Sequence, residues 1–190
     1  SQIAVMLSQI QPHFLYNVLA SIHYLCDKNP QSAKKAIEEF SSYLRGNMNA
    51  LQQNALIPFE EELHHVETYL KLEKMRFDDD LQFAFRITVK DFFLPALTVQ
   101  PIVENAVKHG VGTKENGGTI TISTSESESH YLITIADDGV GFDIRNTASN
   151  IGIENVRKRL LAMCEGALHF ESKLGQGTIA TIHIPKEASS

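Results

Sequence analysis

Apolar side chains recur every three or four positions along the start of the chain, which is the spacing of one face of an α-helix. The first series consists of Ile3, Leu7, Ile10, Phe14, Val18, Ile22 and Leu25. A second series widens the apolar face beyond what one neighbouring helix would cover, and it consists of Leu15, Leu19, Ile22 and Cys26. This width predicts a helix that packs against several others.

A second helix is predicted directly after the first. Asn29 and Pro30 form an N-cap and first-turn pair. The apolar spacing then continues through Ala33, Ile37, Phe40, Leu44, Met48 and Leu51. The two helices form a hairpin, and because one hairpin buries too little apolar surface, two copies would pack as a four-helix bundle. The pattern therefore predicts a homodimer.

A third helix is predicted to begin at Pro58. Its first turn carries the acidic side chains of Glu60, Glu61 and Glu62, where the helix dipole favours negative charge. Its apolar face consists of Phe59, Leu63, Val66 and Leu70. This helix connects the hairpin to the rest of the chain.

The pattern changes after Phe77, where alternating and β-branched segments replace the helical spacing. Five such segments predict strands: LQFAFRITV, GTITISTS, HYLITIAD, ALHFES and TIATIHI. Residues 98–109 and 153–164 each have one apolar side and predict helices. Five strands with helices of this kind predict a two-layer α/β sandwich. The predicted fold class is therefore α+β, with a helical hairpin that forms a dimeric four-helix bundle, followed by the sandwich.

This order divides the 190 residues into three regions. Residues 1–56 form the helical dimerisation region, residues 57–77 the connecting helix and residues 78–190 the sandwich. The composition, 43% hydrophobic and 21% charged, is that of a globular protein with a real core.

The charge and the cysteine content narrow the choice of partner. A formal net charge of −6 argues against direct binding to nucleic acid and against binding to an anionic lipid surface. Cys26 and Cys164 lack metal-ligand spacing and are expected to be reduced thiols. No apolar run approaches the ~18 residues of a membrane-spanning helix, and no signal peptide is visible. Since the chain begins without Met inside a helical pattern, we expect a piece of a longer protein.

Two segments near the predicted strand ends contain residues that could bind a ligand. In DDGVGF, Asp137 ends a strand and is followed by Gly139 and Gly141, which let a flat ligand approach the backbone closely. An ordinary acidic turn would have the same sequence. In VENAVKHG, helical spacing puts the side chains of Asn105, Lys108 and His109 on one face. The alternative there is a solvated polar face.

Two further turns follow in the same domain. In NIGIENVRKRL, Gly152 lies at a helix start whose backbone N–H groups can bind an anion, and Arg157 and Arg159 add positive charge. In GQGT, Gly175 to Thr178 form a tight turn into the last strand. Each signal is modest alone, but all four occur in one order on one predicted α/β domain.

Together the four segments resemble the nucleotide-binding boxes of the GHKL superfamily of ATPases and histidine kinases. QPHFLYN, EELHHVETYLKLEKMRF and LTVQPIVENAVKHG are similar to segments of LytS/YehU/YesM-type sensor histidine kinases. The resemblance extends from about Leu7 to Pro185. It implies the Bergerat fold, ATP and Mg2+ as cofactors, autophosphorylation on histidine, and phosphoryl transfer to an aspartate in the receiver domain of a bacterial response regulator.

The resemblance identifies His13 as the phosphoacceptor. An imidazole is mostly neutral at pH 7 and can attack through a ring nitrogen without a separate base. Pro12 cannot donate to the carbonyl of Ser8, which predicts that the helix loosens or bends one turn before His13. Phe14 stands where commoner histidine kinases have an acidic residue. Asn17, one turn on, either orients the imidazole by a hydrogen bond or packs in the bundle.

The resemblance also assigns the ATP site. Asp137 would accept a hydrogen bond from the adenine amino group, while Gly139 and Gly141 would admit the ring. Asn105 would hold Mg2+ and Lys108 would neutralise phosphate charge. The remaining expected nucleotide-binding positions are His109, Gly152, Asn155, Arg159, Gly175, Gly177 and Thr178.

The roles of two positions in this assignment stay open. Glu104 either polarises a water or the metal shell, as a catalytic residue, or pairs with Lys108 four residues on. Asn150 replaces the first glycine of the second glycine box, so the candidate ATP lid, from Asp143 to Asn150, has no predicted shape.

Three functions compete at this point. The first is an autophosphorylating kinase with a response regulator as partner, the second an ATPase or protein kinase on the same fold, and the third a degenerate, nucleotide-binding regulatory dimer. The hairpin that bears QPHFLYN disfavours the second, and the complete set of Asp137, Asn105 and both glycines disfavours the third. The expected location is cytoplasmic, in a parent protein anchored to the cell membrane by an N-terminal sensor region.

Overall fold

The structure is a computed structural model that describes Ala4 and residues 10–143 and 150–186. Ile3 and Leu7 of the first predicted series lie outside the described residues. So do residues 144–149, which make up most of the candidate lid between Asp143 and Asn150.

Three helices form the first part of the chain: α1 (Pro12–Lys28), α2 (Pro30–Gln52) and α3 (Phe59–Phe77). The predicted cap of α2 is confirmed, because the Oδ1 atom of Asn29 accepts a hydrogen bond from the backbone N–H of Ser32 at 3.1 Å. Helix α3 packs across both helices of the hairpin. The first part of the chain is therefore a three-helix layer.

Pro12 opens α1 and does not bend it. Gln11 before it is extended, with φ −62° and ψ 120°, and its carbonyl accepts the N–H groups of Phe14 and Leu15. The helix that the sequence predicts through Pro12 begins at this residue. The non-helical backbone of Ile10 and Gln11 agrees with the predicted loosening or bend before His13, while Ser8 lies outside the described residues. A proline in the first helical turn lacks only an N–H that would have no partner in the helix, so this position suits it.

The buried stripes differ in part from the predicted ones. Phe14, Val18 and Ile22 of α1 are buried as predicted. Ile37 of α2 is 50% exposed and Leu19 of α1 is 53% exposed, although both belong to the predicted apolar series. The buried residues of α2 are Ala33, Ala36, Tyr43 and Asn47.

The second part contains the five predicted strands. They are β2 (Leu81–Ile87), β4 (Gly118–Glu126), β5 (His130–Asp137), β6 (Ala167–Lys173) and β7 (Gly177–Pro185). They form one sheet in the order β2-β4-β5-β7-β6, in which β2 and β4 are parallel and the other pairs are antiparallel. An unpredicted ribbon pairs β1 (Leu56–Pro58) with β3 (Phe93–Pro95). These two strands are three residues long, which is too short to show an alternating pattern.

Two helices cover one face of the sheet. Helix α4 (Gln100–Asn105) continues into a π-helical turn (Ala106–Gly110) and a 3-10 turn (Val111–Thr113), and α5 spans Ile151–Cys164. The buried isoleucines of the sheet, among them Ile122, pack in the same core. The prediction of a two-layer sandwich is confirmed. One continuous cluster of buried residues extends from Phe14 in α1 to the last strand, so the helical layer and the sandwich share a core. The domain limits at 56/57 and 77/78 stay a prediction.

Candidate functional site

Asp137 ends β5 with its carboxylate at the base of a cavity. Its Oδ1 atom accepts the backbone N–H of Gly139 at 2.9 Å, and the backbone of Thr178 on the neighbouring strand is a second partner. The residue is 9% exposed. Burial raises the pKa of Asp137 above its ordinary value, and these backbone hydrogen bonds oppose that rise. The carboxylate is therefore fixed in place, in an environment of low polarity.

The cavity above this carboxylate has a volume of about 60 Å³. Helix α4, its π-helical turn, β5 and β7 form most of its wall. The lining residues are Ile102, Asn105, Ala106, His109, Gly110, Ile135, Asp137, Gly141, Phe142, Phe170, Thr178 and Ala180. The apolar side chains and the fixed carboxylate suit contact with a flat aromatic group that carries an amino group, and a cavity of this volume admits only part of such a ligand. The structure thus brings Asn105, His109, Asp137, Gly141 and Thr178 together, as the resemblance implies.

Close backbone contacts explain the two glycines after Asp137. A Cβ atom at Gly139 would collide with the backbone of Gly110, and one at Gly141 would collide with the carbonyl of Lys173. Gly141 also has φ +63°, a conformation that other residues rarely adopt. The two glycines therefore hold the wall of the cavity close to the strand end.

The π-helical turn separates residues that a regular helix would keep on one face. Asn105 and His109 line the cavity, whereas the side chain of Lys108 is exposed and does not line it. Burial lowers the pKa of His109, and the neighbouring charge of Lys108 lowers it further. Since π-helical turns within helices are frequent at functional sites, this turn supports a functional role for residues 106–110.

Asn150 connects α5 to Asn105. Its Nδ2 atom donates to Oδ1 of Asn105 at 2.9 Å, and its Oδ1 atom accepts the N–H of Gly152 at 3.0 Å as the cap of α5. The asparagine that replaces a glycine in the second glycine box thus has two partners that a glycine could not have. Sequence reasoning treated it as a departure, although an asparagine before a helix is a recognisable cap signal.

A second cavity, of about 330 Å³, lies between α2, α4 and the start of α5. Gly152, Asn155 and Arg159 line this cavity and not the one above Asp137. Arg159 donates to the carbonyl of Leu97, and burial lowers its pKa. The structure therefore gives Arg159 a protein partner at the position where the sequence suggested a phosphate contact.

Gly175 and Gly177 shape the turn between β6 and β7. Both have positive φ, +78° and +88°, and neither lines the cavity above Asp137. The N–H of Gly175 donates to the carbonyl of Val140 at 2.7 Å, which ties this turn to the glycine-bearing loop after Asp137.

Glu104 does not line the cavity above Asp137; it lines the second cavity and faces the helical hairpin. Its Oε1 atom accepts a hydrogen bond from Gln100 at 2.9 Å and lies 3.5 Å from the hydroxyl of Tyr43 in α2. Burial raises its pKa to about 7. The two roles that the sequence suggested for Glu104, in a metal shell or as a partner of Lys108, do not describe these contacts.

Glu62 is a buried carboxylate that sequence reasoning missed. It accepts the backbone N–H groups of Leu97, Val99 and Gln100 at 3.0, 2.9 and 3.2 Å. Burial raises its pKa, and these hydrogen bonds oppose the rise. Glu62 therefore fixes the loop from which α4 begins. In the sequence it is one of three adjacent glutamates, and nothing distinguishes it from the other two.

His13 lies in the first turn of α1 with its side chain exposed. The side-chain amide of Asn17 is 3.0 Å from its Nδ1 atom, which agrees with the orienting role among the two considered for Asn17. An amide N–H that donates to Nδ1 leaves the ring proton on Nε2. In the other orientation the side-chain amide of Asn17 is turned by 180°, and its oxygen accepts a hydrogen bond from Nδ1–H of His13. The ring proton is then on Nδ1, and the lone pair of Nε2 is free to attack.

The described residues contain no group of three or more His, Cys, Asp or Glu side chains suited to a metal ion. Asn105 offers one hard oxygen ligand at the cavity. Since Mg2+ in proteins often takes few protein ligands and binds mainly phosphate oxygens and water, a single Asn105 oxygen fits an ion that arrives with a nucleotide.

Comparison with known proteins decides the family. The family described as "Histidine kinase" matches residues 1–81, and the one described as "Histidine kinase-, DNA gyrase B-, and HSP90-like ATPase" matches residues 94–188. The chain belongs to the histidine kinases. The resemblance stated from the sequence is confirmed.

Curated relatives cover nearly all of the chain. The uncharacterised protein YwpD of Bacillus subtilis strain 168 is 36% identical over 201 residues, which span 100% of this chain and 72% of that protein. The sensor histidine kinase YpdA of Escherichia coli K12 is 32% identical, and the sensor protein LytS of Bacillus cereus is 30% identical. Each of these two matches covers 98% of this chain and 34% of the relative. The chain thus spans about a third of the two named sensors.

Solved histidine kinase structures share the fold. The histidine kinase domain of the blue-light activated kinase EL346 from Erythrobacter litoralis has a TM-score of 0.61 at 17% identity, covering 99% of this chain and 95% of that one. The catalytic domain of the histidine kinase ThkA has a TM-score of 0.54 at 15% identity and covers 70% of this chain and 96% of that one. Both the helical layer and the sandwich therefore have counterparts in known histidine kinases. Among the described residues of this family member, no helix is long and apolar enough to cross a bilayer.

Proposed function

We propose that this histidine kinase uses ATP to phosphorylate its own His13 and then passes the phosphoryl group to an aspartate in the receiver domain of a bacterial response regulator. The observation that carries the proposal is the pairing of a fixed, buried Asp137 carboxylate in an apolar cavity with an exposed imidazole on the first helix of the same chain. The alternatives, a GHKL-type ATPase and a degenerate regulatory dimer, have no comparable observation in their favour.

The nucleotide would bind with its adenine above Asp137. The carboxylate accepts a hydrogen bond from the exocyclic amino group, while Ile135, Phe142 and Ala180 provide apolar contact. Asn105, at the end of α4, would hold Mg2+, which supplies charge neutralisation to the triphosphate. Lys108 is exposed on the π-helical turn and would neutralise phosphate charge from the solvent side.

At His13, the transfer forms a bond between Nε2 and the γ-phosphorus and breaks the bond from that phosphorus to the bridging oxygen, so ADP leaves. In the structure the Nδ2 atom of Asn17 lies 3.0 Å from Nδ1 of His13. With this amide turned by 180°, its oxygen would accept from Nδ1–H during the attack and stabilise the positive charge that develops on the ring. Phosphoryl transfer asks mainly for positioning and charge neutralisation, and no side chain has to act as a general base.

The kinase would act as a homodimer through the hairpin. Leu19 of α1 and Ile37 of α2 are about half exposed in one protomer, and both belong to the predicted apolar series. Burial of these side chains against a second copy would complete the four-helix bundle. The hairpin with its phosphorylated His13 is the part that a receiver domain would meet.

We place the sensing region and any membrane anchor in other parts of the parent protein, with these residues on the cytoplasmic side. The support is that LytS and YpdA are named as sensors and that the chain matches about a third of each.

The test is incubation with γ-labelled ATP and Mg2+, followed by acid or base. A phosphoramidate on histidine survives base and is lost in acid. His13→Gln should abolish the label, and His23→Gln, on an exposed histidine of the same helix, is the matched control that should keep it. A label that survives acid, or one that persists in His13→Gln, would contradict the proposal.

A further inference from the structure

A buried polar cluster joins the helical hairpin to α4. Tyr43 of α2 is 1% exposed, and its hydroxyl accepts from Nε2 of Gln100 at 3.2 Å and lies 3.5 Å from Oε1 of Glu104. The same Nε2 donates to Glu104 at 2.9 Å. Burial raises the pKa of Tyr43 well above its ordinary value, so the hydroxyl keeps the proton that it can share with Glu104. Asn47 of α2 accepts from the same Nε2 of Gln100 at 3.4 Å, so four side chains from two parts of the chain form one set of hydrogen bonds.

The ring of Tyr43 extends this cluster towards the phosphoacceptor helix. It stacks on His65 of α3 with 5.2 Å between centroids and an interplanar angle of 3°. Its edge contacts Phe14, the residue directly after His13, at 5.1 Å. A rigid aromatic ring therefore connects α1 and α3 to the hydrogen bonds at α4.

Glu104 extends the cluster towards the nucleotide cavity. The next residue, Asn105, lines that cavity and accepts a hydrogen bond from Asn150 at the start of α5. Because α4 is only six residues long, its rotation or tilt at Glu104 also displaces Asn105. The contacts between Tyr43 and Glu104 thus affect the position of Asn105, the expected Mg2+ ligand.

We infer that Tyr43 and Glu104 are positioning residues, which fix α4 against α2 and so hold Asn105 in register with the helix that carries His13. This inference rests on the proposed function, since it concerns the transfer from bound ATP to His13. It assigns Glu104 a role through Tyr43 and Asn105, and not direct action on a water or on the metal shell.

Tyr43→Phe tests the hydroxyl while it keeps the ring and its packing. At saturating ATP the rate of His13 labelling should fall about three- to tenfold, because the contacts of the hydroxyl with Gln100 and Glu104 are both lost. The dissociation constant for ATP should change less than about twofold. Tyr69→Phe is the matched control, because Tyr69 is buried in the same ring cluster, at 5.2 Å from Phe14, and should change the labelling rate less than about twofold. Equal labelling rates in the two variants would overturn the inference.

Two substitutions of Glu104 distinguish a positioning role from a direct role in the reaction. Glu104→Gln keeps an oxygen that accepts from Gln100 and Tyr43, so this variant should label His13 at a rate several times higher than Glu104→Ala. If Glu104 acts directly as a base or in the metal shell, glutamine cannot replace it and the two variants should lose activity equally, which would overturn the positioning role. The Tyr43→Phe change should add little to Glu104→Ala, because both remove the same contact.

Backbone hydrogen exchange tests the connection between the nucleotide cavity and α2 without requiring phosphorylation. Binding of the ATP analogue with an imido bridge between the β and γ phosphates should slow exchange in α2 around Tyr43 in the wild type and in Tyr69→Phe, but not in Tyr43→Phe. A wild type that binds the analogue without protection of α2 would overturn the inference. A wild type that shows this protection but never labels His13 would refute the proposed function and leave the connection established.

Discussion

Replacing Glu73 with glutamine should stabilise the protein at neutral and basic pH and have little effect at acidic pH. Glu73 of α3 is 4% exposed, and burial raises its pKa from 4.5 to about 7, a rise that the charge of Arg76 opposes. Since the folded protein holds this proton more tightly than the unfolded chain, folding is penalised as the pH rises from 4.5 through 7, and the penalty is complete above 7. Glutamine has the shape of the protonated acid and avoids the penalty.

The size of the effect follows from the pKa. One pKa unit corresponds to about 1.4 kcal/mol, so a rise from 4.5 to about 7 corresponds to about 3 kcal/mol at pH 8. For a protein of this size, 1 kcal/mol changes Tm by about 2 to 4 °C, which predicts a Tm about 6 to 12 °C higher for Glu73→Gln at pH 8. At pH 4.5 the two Tm values should be nearly equal.

Thermal unfolding of both proteins between pH 4.5 and 8.5 measures this difference. His65, whose pKa burial lowers to about 4, destabilises both proteins alike as the pH falls below 6.5, so it cancels in the comparison. Glu67→Gln is the surface control, since Glu67 lies on the same helix in an exposed pair with Lys71. A Tm difference between wild type and Glu73→Gln that does not change with pH would refute the reasoning.

Three further predictions concern the site and the dimer. Asp137→Ala should abolish detectable ATP binding in a titration, because the carboxylate is the polar group that fixes the base, whereas His13→Ala should bind ATP like the wild type; equal losses would contradict this division. Asn17→Asp should label His13 at least as fast as the wild type, because a carboxylate can only accept from Nδ1–H and leaves Nε2 free, whereas Asn17→Ala should be slower in the same time course; an Asp variant as slow as Ala would exclude the orienting role. Leu19→Glu combined with Ile37→Glu should convert a dimer into a monomer in sedimentation at micromolar concentration, because both side chains are half exposed in one protomer; a wild type that sediments as a monomer would refute the dimer.

The strands and helices were predictable where a local pattern was long enough. HYLITIAD is rich in β-branched and apolar residues, and from Ile133 to Asp137 its residues alternate between the buried and half-buried faces of β5. The ribbon of β1 and β3 was not predictable, because its strands are three residues long and each is stable only through the other. The start of α1 at Pro12 was not predictable, because a proline fits both a bend within a helix and the first turn of one, and only the extended Gln11 distinguishes them.

Within the site, the sequence indicated residues whose chemistry is local. Asp137 ends a strand before two glycines, and that signal is contained in six letters. Glu62 and Glu104 could not be placed in this way. The backbone partners of Glu62 lie 35 to 38 residues away in the chain, and Tyr43, which Glu104 faces, lies 61 residues away. Only the fold shows that one fixes the loop before α4 and that the other faces Tyr43.

The most direct test of the central claim is localisation of the phosphoryl group by mass spectrometry after a brief reaction with ATP and Mg2+, with digestion kept at neutral to basic pH. The account predicts a single modified peptide that contains QPHFLYN, with the added mass on His13 and none on His23 of the same helix. The modified protein should then lose this mass to a receiver domain of its response regulator. Phosphate found on a serine, threonine or another histidine, with His13 unmodified, would contradict the account.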